Sequence, residues 1–239
     1  MKTVSTAIIA LSMLMFISCE NNNETAEALI DNTVVKTTVP VAEETPFFEP
    51  FKVMAIVHTV KDFDKWRKEF DAHENDRAAS GLTLRALARG TDDPNKVFVV
   101  LNVSNMKKAK DFAASMSLKK VMQKAEVTSK PELIFADVVR LGKSPDEFKG
   151  RVRIGTRVKD FDAWLKVFDT EGKEIRATYG LIDRAIARNI EDPNIVYLTF
   201  AVTDLEKVKA RLNSPELKRL MDEAGVLTKP VIDFYTSAL

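Results

Sequence analysis

Two ionisable side chains end the apolar stripe of a predicted helix and are the chain's candidates for acid–base chemistry. The stripe holds Phe63, Trp66 and Phe70, and at about 100 degrees per residue His73 and Arg77 fall on the same helical face. An imidazole titrates near neutral pH and can act as a general base, while a guanidinium can stabilise a developing oxyanion. His73 and Arg77 are therefore the candidate catalytic pair.

A ligand pocket is predicted where this helix faces the sheet. Trp66 and Phe70 would form its dry wall, and Ala86 and Ala88 on the second predicted strand would leave volume opposite the helix. The candidate ligand-binding side chains are aromatic or small, and they are Trp66, Phe70, Ala86, Ala88, Trp164 and Phe168. A second interpretation stays open, in which His73 and Arg77 sit at a frayed helix end and pair with neighbouring carboxylates.

The chain offers little to a metal ion or a tightly held cofactor. Its two histidines, His58 and His73, come without cysteine or a carboxylate cluster at ligand spacing, so no metal site is predicted. His58 is interpreted as a strand-end histidine whose ring nitrogens have hydrogen-bond partners, and the alternative is that it helps His73 to bind an acid or a metal. No glycine-rich phosphate loop or nucleophile elbow is present. We expect no bound cofactor, with haem ligation by one histidine as the lesser alternative.

Arginines recur on two predicted strands. They are Arg85, Arg89, Arg184 and Arg188, with Arg153 and Arg157 on a neighbouring strand. Arginine grips carboxylates in bidentate fashion, so the row could hold a carboxylated ligand between two sheets. The alternative is a set of ion pairs at the barrel rim with acids such as Asp137 and Asp233. Both interpretations stay open at this stage.

The elements that position these residues occur twice. The run Val60–Trp66 returns as Val158–Trp164, and Asp93-Pro94-Asn95 returns as Asp192-Pro193-Asn194. The offset is 98 residues before the first predicted helix ends and 99 afterwards, which places one inserted residue in the second copy. Two copies of one module are therefore fused in tandem, at residues 51–143 and 151–239.

Each copy predicts the order β-α-β-β-α-β of a ferredoxin-like module. Asp62 and Asp160 are plausible N-caps, and Gly81 and Gly180 follow the helix ends. The third strand is apolar at both parities, as expected when neither face of the sheet meets water. The prediction is an α+β fold in which two sheets face each other, an intramolecular pseudo-dimeric α/β barrel in a monomeric chain.

The repeated run Val-Lys-Asp-Phe-Asp-x-Trp, the Gly-Leu and Asp-Pro-Asn pairs, and the segment from Ser214 to Val226 resemble the dimeric α/β-barrel superfamily. The likeness is narrower to its antibiotic-biosynthesis-monooxygenase-like members. The resemblance implies a helix-to-sheet substrate site and, in an enzyme, oxygenation without a cofactor. In that chemistry His73 would remove a proton from the substrate and Arg77 would stabilise the oxyanion.

The second copy does not preserve the candidate pair. Glu171 occupies the position equivalent to His73. A continuous helix would place Ile175 at the position equivalent to Arg77, and Arg176 would then lie about 100 degrees away around the helix axis. One pocket is therefore expected to have diverged from the other. Glu171 and Arg176 are expected to form an ion pair.

The N-terminal segment predicts export and lipid anchoring. Residues 1–18 are predicted to form a signal peptide with a short apolar run, and Cys19, the only cysteine, follows it where a bacterial lipobox would be cut and lipidated. The alternative is ordinary signal cleavage in which Cys19 has no role. Residues 19–50 are polar and aperiodic, so they predict a flexible lipidated tether. The expected location is the bacterial cell envelope, with the chain held at a membrane.

The charge balance argues against nucleic acid as a partner, because 36 Lys and Arg are matched by 35 Asp and Glu. We therefore expect a membrane-anchored envelope lipoprotein that binds a small apolar or aromatic ligand, with monooxygenase-like catalysis as its enzymatic form. The alternative is a non-catalytic binding or interaction module at the membrane surface.

Overall fold

The computed structural model describes residues 48–145 and 147–239. The predicted signal peptide, Cys19 and most of the predicted tether lie outside the described residues. The tether overlaps them only at residues 48–50, where the ring of Phe48 contacts that of Phe51 edge-on at 6.0 Å.

The first module follows the predicted order. Its strands are β1 (Phe51–Thr59), β2 (Leu82–Gly90), β3 (Lys96–Val103) and β4 (Glu132–Leu141). Its helices are α1 (Phe63–Ala72), α2 (Glu74–Ala79), α3 (Met106–Ala113) and α4 (Met116–Lys124). Asp62 caps α1 by accepting a hydrogen bond from the backbone N–H of Lys65 at 2.7 Å.

The second module repeats this order. Its strands are β5 (Gly150–Arg157), β6 (Leu181–Asn189), β7 (Ile195–Val202) and β8 (Val231–Ser237). Its helices are α5 (Phe161–Glu171), α6 (Lys173–Thr178), α7 (Leu205–Leu212) and α8 (Pro215–Glu223). Asp160 is the N-cap of α5, as the sequence predicts, and Ser214 is the N-cap of α8.

The two modules close one barrel. The strand order is β1-β3-β2-β8-β5-β7-β6-β4, with every neighbouring pair antiparallel and β4 returning to β1. The modules join along β2–β8 and β4–β6, where Arg89 faces Thr236 and Asp137 faces Arg188. These junctions are equivalent under the pseudo-two-fold relation, so the predicted tandem ferredoxin-like barrel is confirmed.

Three apolar clusters fill the fold. In the first module, Val97, Val99 and Leu101 of β3 face the helices together with Trp66 and other side chains. The second module has the equivalent cluster around Trp164, Phe168 and Val196. A third cluster lies inside the barrel and contains the alternate β3 residues Phe98 and Val100. The two-sided hydrophobicity of β3 thus serves both layers.

The first predicted helix of each module is broken. In the first module α1 ends at Ala72, His73 is its C-cap, and α2 starts at Glu74. In the second, Gly172 lies between α5 and α6 with φ of +81°, a conformation that favours glycine. The extra residue of the second copy is accommodated at this break.

Bulges in β2 and β6 change which face of the sheet each residue occupies. In β2 the register shifts between Leu84 and Ala86. Leu82, Leu84 and Leu87 face the helices, whereas Ala86 and Ala88 line the inside of the barrel. The predicted position of these alanines opposite the helix is therefore wrong, because strict alternation does not survive a bulge. Equivalent bulges in β6, between Asp183 and Ala185, have the same effect.

Within residues 48–145 and 147–239, no helix combines the length and the apolar character needed to cross a bilayer.

Candidate functional site

A cavity lies inside the barrel, between the two modules. Its volume is about 490 Å³, within the range of about 300–1,000 Å³ common for small-molecule sites. The first module lines it with apolar side chains such as Val53, Ala55 and Phe98, and with the candidate residues Ala86 and Ala88. Polar residues of the second module complete the wall, and they are Arg151, Arg153, Arg184, Tyr197, Thr199, Tyr235 and Ser237.

The predicted helix-to-sheet pocket exists only as a small space. It has a volume of about 40 Å³, enough for one or two water molecules. Trp66, Phe70, His73 and Arg77 all line it, so the structure brings these four candidates together, and His58 joins them from β1. Trp164 and Phe168 are buried in the equivalent core cluster of the second module. A catalytic role for His73 and Arg77 stays a prediction.

Arg77 makes contacts within the protein that are repeated in the second module. Its guanidinium donates to the backbone carbonyl of Phe70 and lies 3.8 Å above the Phe70 ring. Arg176 donates to the carbonyl of Phe168 at 2.7 Å and lies 3.7 Å above that ring. The prediction that Ile175 replaces Arg77 is therefore wrong, since the helix break restores the register. A contact present in both copies indicates a structural role.

The two arginines differ in their charge partners. The Arg176 guanidinium donates two hydrogen bonds to the Asp183 carboxylate, at 2.8 and 2.6 Å, and its Nη1 lies 3.4 Å from the Glu171 carboxylate. Burial disfavours its charge, but these carboxylates outweigh burial and raise the pKa of Arg176. Burial lowers the pKa of Arg77, with only partial compensation from Glu74 and Asp71. The predicted Glu171–Arg176 ion pair is present.

His73 and Glu171 occupy matching positions but use opposite chemistry. The His73 ring packs on Phe112 of α3 with 5.6 Å between centroids, and its Nε2 lies 2.7 Å from the carboxylate of Asp76. In the second module Glu171 accepts a hydrogen bond from Arg211 of α7 at 2.6 Å. One aromatic pair has thus been exchanged for a buried ion pair, as expected of diverged copies.

His58 is buried without a hydrogen-bond partner, so the prediction that its ring nitrogens are satisfied is wrong. Both ring nitrogens lack a partner, and the imidazole packs 5.5 Å from the Trp66 ring. Burial lowers the pKa of His58 to about 4. The side chain is therefore neutral at physiological pH and acts as part of the apolar core.

The predicted arginine row divides into two groups. Arg89 and Arg188 lie above the Phe63 and Phe161 rings, both at 3.9 Å, and donate to loop carbonyls. Arg157 pairs with Asp192. In contrast, the cavity-lining arginines are Arg85, Arg151, Arg153 and Arg184. Arg157 thus forms a rim ion pair, with Asp192 rather than with Asp137 or Asp233. Carboxylate binding by the cavity-lining arginines stays a prediction.

The site chemistry does not fit a haem or a metal centre. A haem is far larger than the 40 Å³ space beside His58 and His73, so it would require α1 and α4 to separate from the sheet. Among residues 48–145 and 147–239, no group of three or more His, Cys, Asp or Glu side chains is placed to hold a metal ion.

Comparison with known proteins identifies the fold. No family model matches the chain, and no curated protein matches it in sequence. An anthrone oxidase-like protein is 12% identical and superposes over 79% of this chain and 92% of its own, with a TM-score of 0.56. A candidate monooxygenase from Fusobacterium nucleatum is 12% identical over 80% and 93%, with a TM-score of 0.52. At these identities the likeness shows the fold alone, and for the fold the predicted resemblance is confirmed.

The predicted pocket lay between helix and sheet, whereas the cavity lies inside the barrel, where the sequence offered only the arginine row as a ligand site. Sequence reasoning missed Phe98, Tyr197 and Tyr235 as lining residues, because each reads as an ordinary strand residue. A signal was present in the repeat itself. At positions where the first copy has Val53, Ala55 and Ala136, the second has Arg151, Arg153 and Tyr235.

Proposed function

We propose that the chain is a membrane-anchored envelope protein that binds a small, largely apolar molecule inside the barrel. The observation that carries this proposal is the cavity of about 490 Å³ with apolar walls and a few polar side chains. The monooxygenase-like fold supports ligand binding in general. The proposal does not depend on proton abstraction by His73, because the space beside His73 is too small for an organic substrate.

Filling the cavity tests the binding proposal. Ala136 and Ala187 lie on opposite modules, line the cavity, and are 2% and 9% exposed. We expect Ala136→Phe or Ala187→Phe to weaken binding of the neutral fluorescent probe N-phenyl-1-naphthylamine by about 10-fold or more, since a ring occupies ligand volume. The measurement is probe fluorescence against protein concentration, with a thermal melt to confirm folding, because overpacking costs about 1–3 kcal/mol.

The matched control fills the other space. Ala125 is 2% exposed and lines the helix-to-sheet space. We expect Ala125→Val to leave probe affinity unchanged. Affinity that survives both cavity-filling changes but is lost in Ala125→Val would place the ligand beside His73 and contradict the proposal.

The membrane location is a separate part of the proposal, supported by the lipobox-like position of Cys19. Several acyl chains on one cysteine would hold the chain durably at a bilayer, at about 0.8 kcal/mol per buried methylene. In the native host we expect an alkyne-tagged fatty acid to label the full chain but not a Cys19→Ala variant. Equal labelling of the two chains would refute anchoring at Cys19.

A further inference from the structure

We propose that the ligand of the barrel cavity is an amphipathic monocarboxylate, whose carboxylate is bound by Arg153 and Tyr235 while its apolar body lies against the first module. This inference rests on the proposed function and names the chemical class of its ligand.

The cavity has two chemically different walls. At equivalent positions the first module presents Val53, Ala55, Val100, Ala136 and Val138, and the second presents Arg151, Arg153, Thr199, Tyr235 and Ser237. A ligand that matches both walls needs an apolar side and a polar side. The duplication therefore produced one asymmetric site rather than two equivalent ones.

Arg153 is buried, and its hydrogen bond to Glu132 is long. The residue is 5% exposed, and its Nη1 has no hydrogen-bond partner. The nearest carboxylates are Glu132, 3.4 Å from Nη2, and Asp233, 3.6 Å from Nη1, both beyond the usual 2.7–3.2 Å. Asp233 is itself held by Lys96, and the Glu132 side chain is 55% exposed.

The comparison with Arg176 shows what Arg153 lacks. Arg176 is equally buried, at 4% exposure, and it donates two hydrogen bonds to the Asp183 carboxylate, at 2.8 and 2.6 Å. Buried guanidinium groups are stabilised by this geometry. A ligand carboxylate entering the cavity would supply the corresponding partner to Arg153.

Tyr235 offers a second donor beside it. The residue is 1% exposed, its hydroxyl has no hydrogen-bond partner, and its ring stacks on Phe98 with 5.0 Å between centroids. Burial, together with the neighbouring Asp233 carboxylate, raises the pKa of Tyr235, so the hydroxyl keeps its proton and remains a donor.

The charge of the lining favours an anion. Four arginines line the cavity, and no Asp or Glu of the described residues does so. Arg85 and Arg184 are related by the repeat, and the pKa of Arg85 is lowered by burial and then by the charge of Arg184. Leu141 and Leu239, 43% and 59% exposed, border the same cavity and mark its open side. The positive charge of Arg85, Arg184 and Arg153 therefore favours the binding of an anion in the cavity.

A neutral ligand would leave the two buried donors unpaired. Each unsatisfied buried polar group costs about 1–3 kcal/mol, and hydrogen bonds to charged groups contribute about 1.5–3 kcal/mol. Apart from Arg85, the first module lines the cavity with apolar side chains, which would lie against the apolar body of the ligand. The arrangement thus selects one carboxylate on an apolar or aromatic body.

Isothermal titration of the full chain with two matched ligand pairs tests this inference. The pairs are 2-naphthoate with 2-naphthamide and decanoate with decanamide, which differ in charge but hardly in shape. We expect at least one acid to bind about 10-fold or more tightly than its amide. Arg153→Gln should weaken acid binding by about 10-fold while changing amide binding little, and Tyr235→Phe should weaken it by about 3-fold.

The control is Arg157→Gln on the same strand, since Arg157 is 47% exposed and paired with Asp192 outside the cavity. It should leave acid binding unchanged. If Arg153→Gln does not fold, Tyr235→Phe and the acid-to-amide ratio of the wild type still decide the matter. Equal binding of acid and amide would overturn the inference but leave the proposed function standing. Failure of all four ligands and of the neutral fluorescent probe to bind would overturn both.

Discussion

Replacing Glu171 with Ala is expected to lower the free energy of unfolding by about 3 kcal/mol. The Glu171 side chain is 10% exposed and accepts from Arg211 at 2.6 Å. Removing one partner of a buried pair leaves the other charge uncompensated, which costs about 3–5 kcal/mol in general. Arg176 keeps Asp183 and the Phe168 carbonyl, so the loss falls mainly on Arg211. Urea denaturation followed by circular dichroism measures the change.

Two further variants separate the buried pair from charge in general. Glu174→Ala removes a carboxylate that is 77% exposed, and we expect a change below about 0.5 kcal/mol. The double variant Glu171→His with Arg211→Phe installs the pair that the first module has at His73 and Phe112, and it should regain at least half of the lost stability. A wild-type midpoint for Glu171→Ala would contradict the assignment.

Acidification is expected to destabilise the fold through His58. The pKa of His58 is lowered from 6.5 to about 4 in the folded protein. Between these two pH values the imidazole is therefore protonated in the unfolded chain but neutral in the folded chain. Stability therefore falls between pH 6.5 and pH 4. The loss from this residue alone is about 2 kcal/mol by pH 5 and about 3 kcal/mol by pH 4.

The control for the pH dependence comes from the second module, where Thr156 occupies the equivalent position. His58→Thr should flatten the stability profile between pH 7 and pH 4 by that amount. Nitrogen-15 chemical shifts of the imidazole provide a direct reading in the wild type. A His58 ring that becomes protonated near pH 6.5 would refute the explanation.

The architecture could be predicted from the sequence because its signals are local and repeated. Asp62 and Asp160 mark the starts of two helices as N-caps. The residues of β3 are apolar on both faces of the sheet, so the face away from the helices must also be covered. The repeat then supplies an internal check, since each element must be found twice. Barrel closure follows from hiding the same apolar sheet face in both copies.

The site was harder to predict because small irregularities decide which way a side chain points. One bulge after Leu84 moves Ala86 and Ala88 from the helix side to the barrel interior. One helix break returns Arg176, rather than Ile175, to the place of Arg77. Neither irregularity leaves a residue pattern that a period of two or 3.6 would reveal. The cavity also depends on pairing β2 with β8 and β4 with β6, which joins residues far apart in the chain.

We propose that the ligand lies between the two modules, inside the barrel. Crystals soaked with 4-iodobenzoate and 4-iodobenzamide would locate it. The iodine atom gives an anomalous peak that locates the bound molecule. We expect this peak within the cavity bordered by Val100, Ala136 and Ala187. A bound molecule whose iodine lies instead beside Trp66 and His73, between helix and sheet, would contradict it.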